Sequence, residues 1–337
     1  MTDQTSNQSA SQPAVSALDA ATPRPRWQVI LIRPEAMTFV MLILALVVAS
    51  LISPYFLDLR YILDSFNLTA ELSLIALMLT MIIIAGEIDL SPASTMALTA
   101  CIFAWVLQAG LPMPLAMLVC LGSGLLLGLF NGLLVITLQL PSLIVTIGTL
   151  IFYRGLAQVL AGDASIRLPD WYRGIDRVLW LGVPVPVVIF ILASIVLALV
   201  LGATIVGRQI YQVGTSEIAA VHAGIRAKRI KMWLFIATGI VAALAGMLYT
   251  SRLGTVRYDL GQGGELQMVL MAMLGGTYIF GGRGSILGTF LAAWLLSIIT
   301  TGMTTANWLP ATQFCVLGVL LIVSIVATNF IYSRTQR

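Results

Sequence analysis

Two carboxylates set between long apolar stretches are the first candidates for chemistry in this chain. Glu87 and Asp89 lie in the segment AGEIDLSPAS, residues 85–94, where Ser91 and Pro92 predict the N-cap and the first residue of a helix. Ionisable groups at membrane depth are costly to bury and usually serve a function, so Glu87, Asp89 and Ser91 are candidates for gating or lining a path across a membrane. The alternative is a solvated turn at the membrane boundary, where carboxylates stay hydrated.

Neutral polar side chains form a second candidate set. Asn131, Thr146 and Thr149 lie within apolar stretches that are long enough to span a membrane. A hexose or pentose that crosses a membrane needs hydroxyl partners and no strong charge, so amides and hydroxyls lining a pore would suit a sugar-like solute. Ordinary hydrogen bonds between helices, each worth about 0.6–2 kcal/mol, are the alternative for any one of these residues.

A polar, basic island interrupts the apolar chain at residues 207–231. Its small residues predict a short helix built for close contact, and such a helix would serve as a docking surface for a soluble partner. The candidate docking residues are Glu217, Ala219, Ala220, His222 and Gly224. His222 is the single histidine of the chain and makes neither a metal site nor a catalytic triad on its own, so we interpret it as a surface or interface side chain.

The composition is that of an integral membrane protein. Of its 337 residues, 59% are hydrophobic and 9% are charged, whereas about 25% of the residues in soluble domains are charged. Ten apolar stretches predict an all-α fold with about ten transmembrane helices. These stretches lie at about 37–53, 67–86, 91–108, 113–137, 141–160, 183–206, 232–250, 265–281, 285–302 and 310–332.

Charged and polar residues predict how the chain is placed in the membrane. Residues 1–26 are rich in Thr, Ser, Gln, Ala and Pro, and residues 1–35 should form a disordered cytoplasmic tail. We expect residues 36–332 to form the transmembrane domain, residues 207–231 to be cytoplasmic, and residues 333–337 to form a short cytoplasmic tail. With both termini cytoplasmic, the positive-inside rule is satisfied, and it explains the net charge of +4 without a nucleic-acid partner.

Glycines at four-residue spacing indicate close helix packing. Gly124, Gly128 and Gly132 form one such row, and small residues repeat in the same way within residues 284–292. Small side chains at this spacing let two helix backbones approach each other closely. We therefore expect both rows to lie at helix contacts.

The sequence gives little support for an enzyme. No nucleophile with a base, and no paired histidine and acidic ligands, stand at usable spacing, so we expect no catalytic residue, no metal and no cofactor. The three cysteines lie in apolar runs and show neither metal-site nor disulfide spacing. A phosphate-binding loop of the form G-x-x-x-x-G-K-[ST] is absent from the sequence, so an ATPase that drives transport would be a separate chain. The alternative is an ion-coupled secondary transporter of a small polar solute that uses Glu87 and Asp89.

Four motifs, in this order along the chain, resemble those of the inner-membrane permease subunits of ribose-type sugar ATP-binding-cassette importers. They are AGEIDLSPAS at 85–94, LPSLIVTIGTLIFYRGLA at 140–157, GRQIYQVGTSEIAAVHAGI at 207–225 and GGELQMVLMAMLGGTYIFGGRGSILGT at 263–289. With the apolar stretches, the resemblance covers nearly everything after residue 35. The combination of EIDLS with LPDWYRG is most similar to the rhamnose-type permeases.

The resemblance implies a permease with a fold like that of type II importers, placed in the bacterial inner membrane among its lipids. Such a permease pairs with a second copy or a paralogue, binds two cytoplasmic ATPase subunits, and receives a monosaccharide such as rhamnose or ribose from a periplasmic binding protein. It passes the sugar by alternating access. The resemblance also implies a coupling helix within residues 207–225, where Glu217, Ala219, Ala220 and Gly224 match the family pattern.

The chain departs from the family pattern at two places that matter for function. Glu87 stands where the family usually has a glycine, so the local turn must differ. Val221 and His222 follow the paired alanines, where the family commonly has an arginine. We therefore expect no salt bridge from this position to an ATPase.

Overall fold

The computed structural model describes residues 34–175 and 178–335. Residues 1–33, which make up most of the predicted N-terminal tail, and residues 336–337 lie outside the described residues. The described chain is built almost entirely from α-helices, which confirms the predicted fold class.

The helices follow one another with short connections. They are α1 Pro34–Ile52, α2 Leu59–Asn67, α3 Ala70–Ile84, α4 Pro92–Gln108, α5 Met113–Ile136, α6 Ser142–Ala161, α7 Val185–Ala203, α8 Ile205–Thr215, α9 Glu217–His222, α10 Ala227–Leu253, α11 Gly264–Leu274, α12 Ile286–Thr305 and α13 Pro310–Thr335. Short 3-10 helices lie at Pro54–Leu57 and Asp170–Tyr172 in the part of the chain that the structure describes. Two antiparallel pairs of two-residue strands join β1 Ile166–Arg167 to β4 Thr255–Val256, and β2 Leu179–Trp180 to β3 Val183–Pro184.

Each of the ten predicted apolar stretches contains one helix, but the helices differ in their ability to cross a membrane. Within the described ranges, seven are long and apolar enough, and α2 with α3 makes an eighth if this pair, bent by 69°, is one span. The helix α11 has 11 residues and extends about 16 Å, roughly half of a ~30 Å hydrocarbon core. The stretch predicted at 265–281 is therefore helical only in its first part, and the count of ten spans stays a prediction.

The helix α3 lies at the centre of the bundle. All of its residues are buried, because the sequence AELSLIALMLTMIII is apolar on nearly every face and must be covered on every side. The helices α7, α10, α11 and α12 pack around it. The helix α4 is almost as deeply buried and packs against α5, α6 and α10. These two central helices are joined by the segment that carries Glu87 and Asp89.

The glycine rows lie at helix contacts, as predicted. A Cβ atom at Gly124 or Gly128 would overlap the backbone of α10 at Gly239 or Phe235. A Cβ at Gly132 would meet the sulfur of Met232. In the second row, a Cβ at Gly288 would overlap the carbonyl oxygen of Gly275, beyond the end of α11. Small residues therefore set the short distance between α5 and α10.

The connections gather at two ends of the bundle. Residues 85–91, 204–231 and 275–285 meet at the end that carries the basic island, which we call the basic end. At the opposite end, β1 pairs with β4, and the buried carboxylate of Glu71 forms an ion pair with Arg252 at 3.2 Å. The two ends thus hold different sets of connections, and the candidate docking residues lie at the basic end.

Candidate functional site

The helix α9 is a six-residue helix with well-formed ends. Ser216 is its N-cap, and its hydroxyl accepts a hydrogen bond from the Ala219 backbone N–H at 3.3 Å. At the other end, the Gly224 N–H donates to the Val221 carbonyl and the Ile225 N–H donates to the Ala220 carbonyl. This is a Schellman motif, whose glycine position needs a positive φ, and Gly224 has φ +82°. The short helix expected in the basic island is thus present at Glu217–His222.

One face of α9 is exposed and partly apolar. The side chains of Ile218 and Val221 are 74% and 53% exposed, and Ala219 and His222 are exposed beside them. Ala220 faces the other way and is buried with Val213 and Ala227. Ala220 therefore holds α9 against the bundle, while Ile218, which the sequence analysis did not select, is the most exposed apolar side chain of the helix.

Lys231 joins α9 to the segment between α3 and α4. Its ammonium donates to the Glu87 carboxylate and to the Glu217 carboxylate, at 2.6 Å in each case. The side chains of Lys231 and Glu87 are only 10% and 15% exposed, whereas that of Glu217 is 45% exposed. We call these three residues the lysine bridge. It pairs a candidate gating residue with a candidate docking residue through one cation that the sequence analysis had not selected.

The lysine bridge also corrects one predicted boundary. The seventh apolar stretch was predicted at 232–250, but α10 begins at Ala227. Because lysine is charged, hydropathy assigned Lys231 to the polar connection before the seventh apolar stretch. Its side chain is nevertheless buried, and two carboxylates compensate its charge there.

A polar cavity of about 370 Å³ lies beside the lysine bridge. It is lined by the three bridging residues together with Lys228, Gln139 and Ser142. The Ser142 hydroxyl accepts a hydrogen bond from the Ile88 backbone N–H at 3.1 Å. The connection between α5 and α6 is therefore bound to the same segment that carries Glu87.

Glycines form a second junction at the basic end. The Gly282 N–H donates to the Ile84 carbonyl at 2.8 Å, and a Cβ at Gly214 would overlap that same carbonyl oxygen. A Cβ at Gly281 would lie within 3 Å of both Gly214 and Gly86. We call Gly86, Gly214, Gly281 and Gly282 the glycine junction. It brings the end of α8 into backbone contact with the end of α3 and with the connection before α12.

Four buried side chains form a chain of hydrogen bonds on the bundle side of Glu87. The Tyr153 hydroxyl donates to Asn131 Oδ1 at 2.9 Å, and Asn131 Nδ2 donates to Ser91 Oγ at 2.7 Å. The Ser91 hydroxyl and backbone N–H both donate to Asp89 Oδ1, at 2.7 and 2.9 Å. We call this the polar chain. It links the segment before α4 to α5 and α6, and it brings together three of the candidate pathway residues.

Ser91 is the N-cap residue of α4, as predicted. The helix α4 does begin at Pro92, but the Ser91 side chain makes no capping hydrogen bond. The nearby carboxylate of Asp89 is the stronger acceptor and takes the Ser91 hydroxyl proton instead. Asp89 lies between the two helices, and burial raises the pKa of its carboxyl to about 6, an effect that the hydrogen bonds from Ser91 partly offset.

The two candidate threonines lie next to the polar chain but are not members of it. The Thr146 hydroxyl is 3.3 Å from the Ile88 carbonyl, and the Thr149 hydroxyl donates to the Thr146 carbonyl at 3.4 Å. Both side chains are buried. They fit the alternative that was left open for them, local and interhelical hydrogen bonding.

Glu87 and Asp89, the two carboxylates assigned to the ion-coupled alternative, already have protein partners. Glu87 is bound by Lys231, and Asp89 is bound by Ser91. Among the residues that the structure describes, no group of three or more His, Cys, Asp or Glu side chains could hold a metal ion. These contacts do not favour Glu87 and Asp89 as an ion-binding pair.

The apolar helix bundle, with a polar chain in its interior and an exposed helix at one end, is that of a multi-pass membrane protein. Residues 61–325 match a family described as branched-chain amino acid transport system / permease component. The chain belongs to this permease family. It is an inner-membrane transport component and not an enzyme.

Individual relatives agree with this assignment. Proteins named Autoinducer 2 import system permease protein LsrD from Escherichia coli strain SMS-3-5, Escherichia coli K12 and Shigella flexneri are each 34% identical to this chain over 303 residues. The alignments cover 88% of this chain and 92% of each relative. No solved structure matches the chain.

Proposed function

We propose that this chain is the membrane-spanning subunit of an ATP-binding-cassette importer and that separate cytoplasmic ATPases drive it through α9. The observation that carries this proposal is the lysine bridge, because it ties an exposed helix to the segment that begins the polar chain. In this proposal the basic end faces the cytoplasm, both termini are cytoplasmic, and residues 207–231 are the coupling segment.

The contacts suggest how a force on α9 reaches the interior. A displacement of α9 moves Glu217, and the shared ammonium of Lys231 passes that displacement to Glu87. Asp89 lies two residues further along and holds Ser91, which is bound to Asn131 of α5. The glycine junction adds a second, stiff connection, since backbone atoms there are in direct contact. A rigid shift of α9 would therefore rearrange the polar chain.

The proposed solute is a small, neutral, polyhydroxylated molecule of monosaccharide size. Asn131 and Ser91 offer amide and hydroxyl groups near the segment that would move. Rhamnose and ribose are the candidates from the resemblance, and the names of the relatives add autoinducer 2. A second permease copy or paralogue and a periplasmic solute-binding protein complete the proposed importer.

Uptake in reconstituted vesicles tests the proposal. The permease is reconstituted into vesicles together with an ATPase and a binding protein whose genes neighbour that of the permease. Uptake of labelled rhamnose, ribose and autoinducer 2 is then compared. We expect uptake of one of these solutes to require ATP on the ATPase side and to persist with an ionophore. Uptake that continues without ATP and collapses with the ionophore would instead support an ion-coupled transporter.

Substitutions at Gly224 test α9 as the docking helix. Valine is strained at a positive φ by about 1–3 kcal/mol, whereas asparagine adopts this conformation more readily. We expect Gly224→Val to lower the amount of co-purified ATPase at least fivefold and Gly224→Asn to keep most of it. Because no atom lies within 4 Å of the added Cβ, both variants should still insert and fold. Equal ATPase recovery from the two variants would argue against this role for α9.

A further inference from the structure

An apolar groove with a basic mouth opens on the side of the bundle, away from the lysine bridge. A cavity of about 790 Å³ lies between α3, α7, α8 and α10, within the ~300–1,000 Å³ range of ligand sites. Its walls are almost entirely apolar and include Met78, Leu197, Ile210 and Val241. A second apolar cavity of about 340 Å³ shares Met78, Leu197 and Val241 with the first, so the two adjoin, and we call them together the groove.

The groove is long enough for an acyl chain. It follows α10 from Arg226 to Val241, which corresponds to about 22 Å at 1.5 Å per residue. One leaflet of a bilayer contributes half of a ~30 Å hydrocarbon core. The groove therefore extends from the basic end to beyond the depth of a single leaflet.

The mouth of the groove carries positive charge without compensation from the protein. Arg226, the N-cap residue of α10, and Arg229, in its first turn, line the mouth and are exposed. Neither forms a salt bridge within the described ranges, and no acidic side chain lines the groove. Trp233 lies one turn further along and is 64% exposed, a position typical of an aromatic side chain at a membrane interface.

We propose that this groove binds one anionic phospholipid of the membrane, with its phosphate group on Arg226 and Arg229 and an acyl chain along Met78, Leu197 and Val241. Basic pockets between membrane helices bind anionic headgroups in this way. The apolar walls accept hydrocarbon, and the two guanidinium groups supply the charge complementarity that a zwitterionic lipid would not match. Gly224 also lines the mouth, so the lipid headgroup lies beside the turn that ends α9.

Native mass spectrometry of the purified permease tests this site. The protein is offered equal amounts of phosphatidylglycerol and phosphatidylcholine with identical acyl chains. We expect wild-type protein to retain phosphatidylglycerol with about a tenfold preference, since each arginine near an anionic group favours binding. The variant R226Q/R229Q should lose most of this preference, and the single substitutions should give intermediate values.

A charge-matched control separates a defined site from general attraction to a basic surface. R208Q/K228Q removes the same charge from the basic end, but neither residue lines the groove. We expect this control to retain the wild-type preference. Equal losses in the control and in R226Q/R229Q would overturn the proposal and leave only diffuse surface attraction.

A third variant tests the apolar part of the groove. Ala237 lines it, and A237F fills the space without changing charge. We expect A237F to retain at least threefold less long-chain phosphatidylglycerol than wild type while short-chain phosphatidylglycerol still binds. Wild-type retention in A237F would exclude the groove as the acyl site. If R226Q/R229Q lost ATPase binding but kept its lipid preference, the two arginines would serve protein docking, and the proposal would be wrong.

Discussion

Replacement of Lys231 by methionine is expected to lower solute uptake at least tenfold and to destabilise the basic end. Methionine keeps much of the length and volume of lysine but has no charge. The carboxylates of Glu87 and Glu217, each 2.6 Å from the ammonium, would then face each other without their shared cation. Breaking a buried ion pair from one side typically costs ~3–5 kcal/mol, and we expect about 2–4 kcal/mol here because Glu217 is 45% exposed.

The partners of Lys231 supply the rescue and the control. Glu87→Gln combined with Lys231→Met removes both buried charges, so it should recover a large part of the lost stability. Lys228→Met removes a nearby exposed charge and should leave stability within about 0.5 kcal/mol of wild type. Thermal unfolding measures the change in stability, and vesicle uptake measures the change in transport. If Lys231→Met unfolded like Lys228→Met, the lysine bridge would have no structural importance.

Replacement of Gly214 by alanine is expected to have a similarly large effect. A single added methyl group would overlap the Ile84 carbonyl oxygen and lie 2.6 Å from the Gly282 nitrogen. Those are backbone atoms, which cannot rotate away, so α8 must shift from the end of α3. We expect a loss of about 1–3 kcal/mol from overpacking and at least tenfold slower uptake.

Gly148→Ala is the matched control for Gly214→Ala. Gly148 lies within α6, and no atom lies within 4 Å of a Cβ added there. Alanine favours a helix over glycine by about 0.5–1 kcal/mol, so this variant should be as stable as wild type or slightly more stable. Thermal unfolding and vesicle uptake compare the two variants. If Gly214→Ala and Gly148→Ala had the same unfolding temperature and the same rate of uptake, the glycine junction would tolerate separation of its backbones and would not transmit force.

The helix bundle could be predicted from the sequence because apolar stretches and their punctuation are local signals. Each predicted stretch contains a helix, and the row at Gly124, Gly128 and Gly132 lies at a helix contact, as its spacing indicated. The residue at which α11 ends was not predicted. Its apolar residues continue as far as Phe280, and hydropathy alone does not show that the helix stops before Gly275.

The candidate site could be predicted only in part. Glu87, Asp89 and Asn131 were selected because polar residues in apolar surroundings are conspicuous. The lysine bridge was missed because Lys231 is 144 positions from Glu87 and resembles any other basic residue of a flanking loop. The exposure of Ile218 also depends on which face of α9 packs inward, and a six-residue helix is too short for periodicity to show this.

The central claim is that α9 faces the cytoplasm and is covered by an ATPase, and cysteine labelling at residue 218 tests it most directly. Cys315 is exposed and is replaced by serine, while Cys101 and Cys120 are buried and can stay. With Ile218→Cys in this background, a membrane-impermeant maleimide should label inverted vesicles but not intact cells, and bound ATPase should protect the site. Labelling from outside intact cells, or labelling that bound ATPase leaves unchanged, would contradict the account.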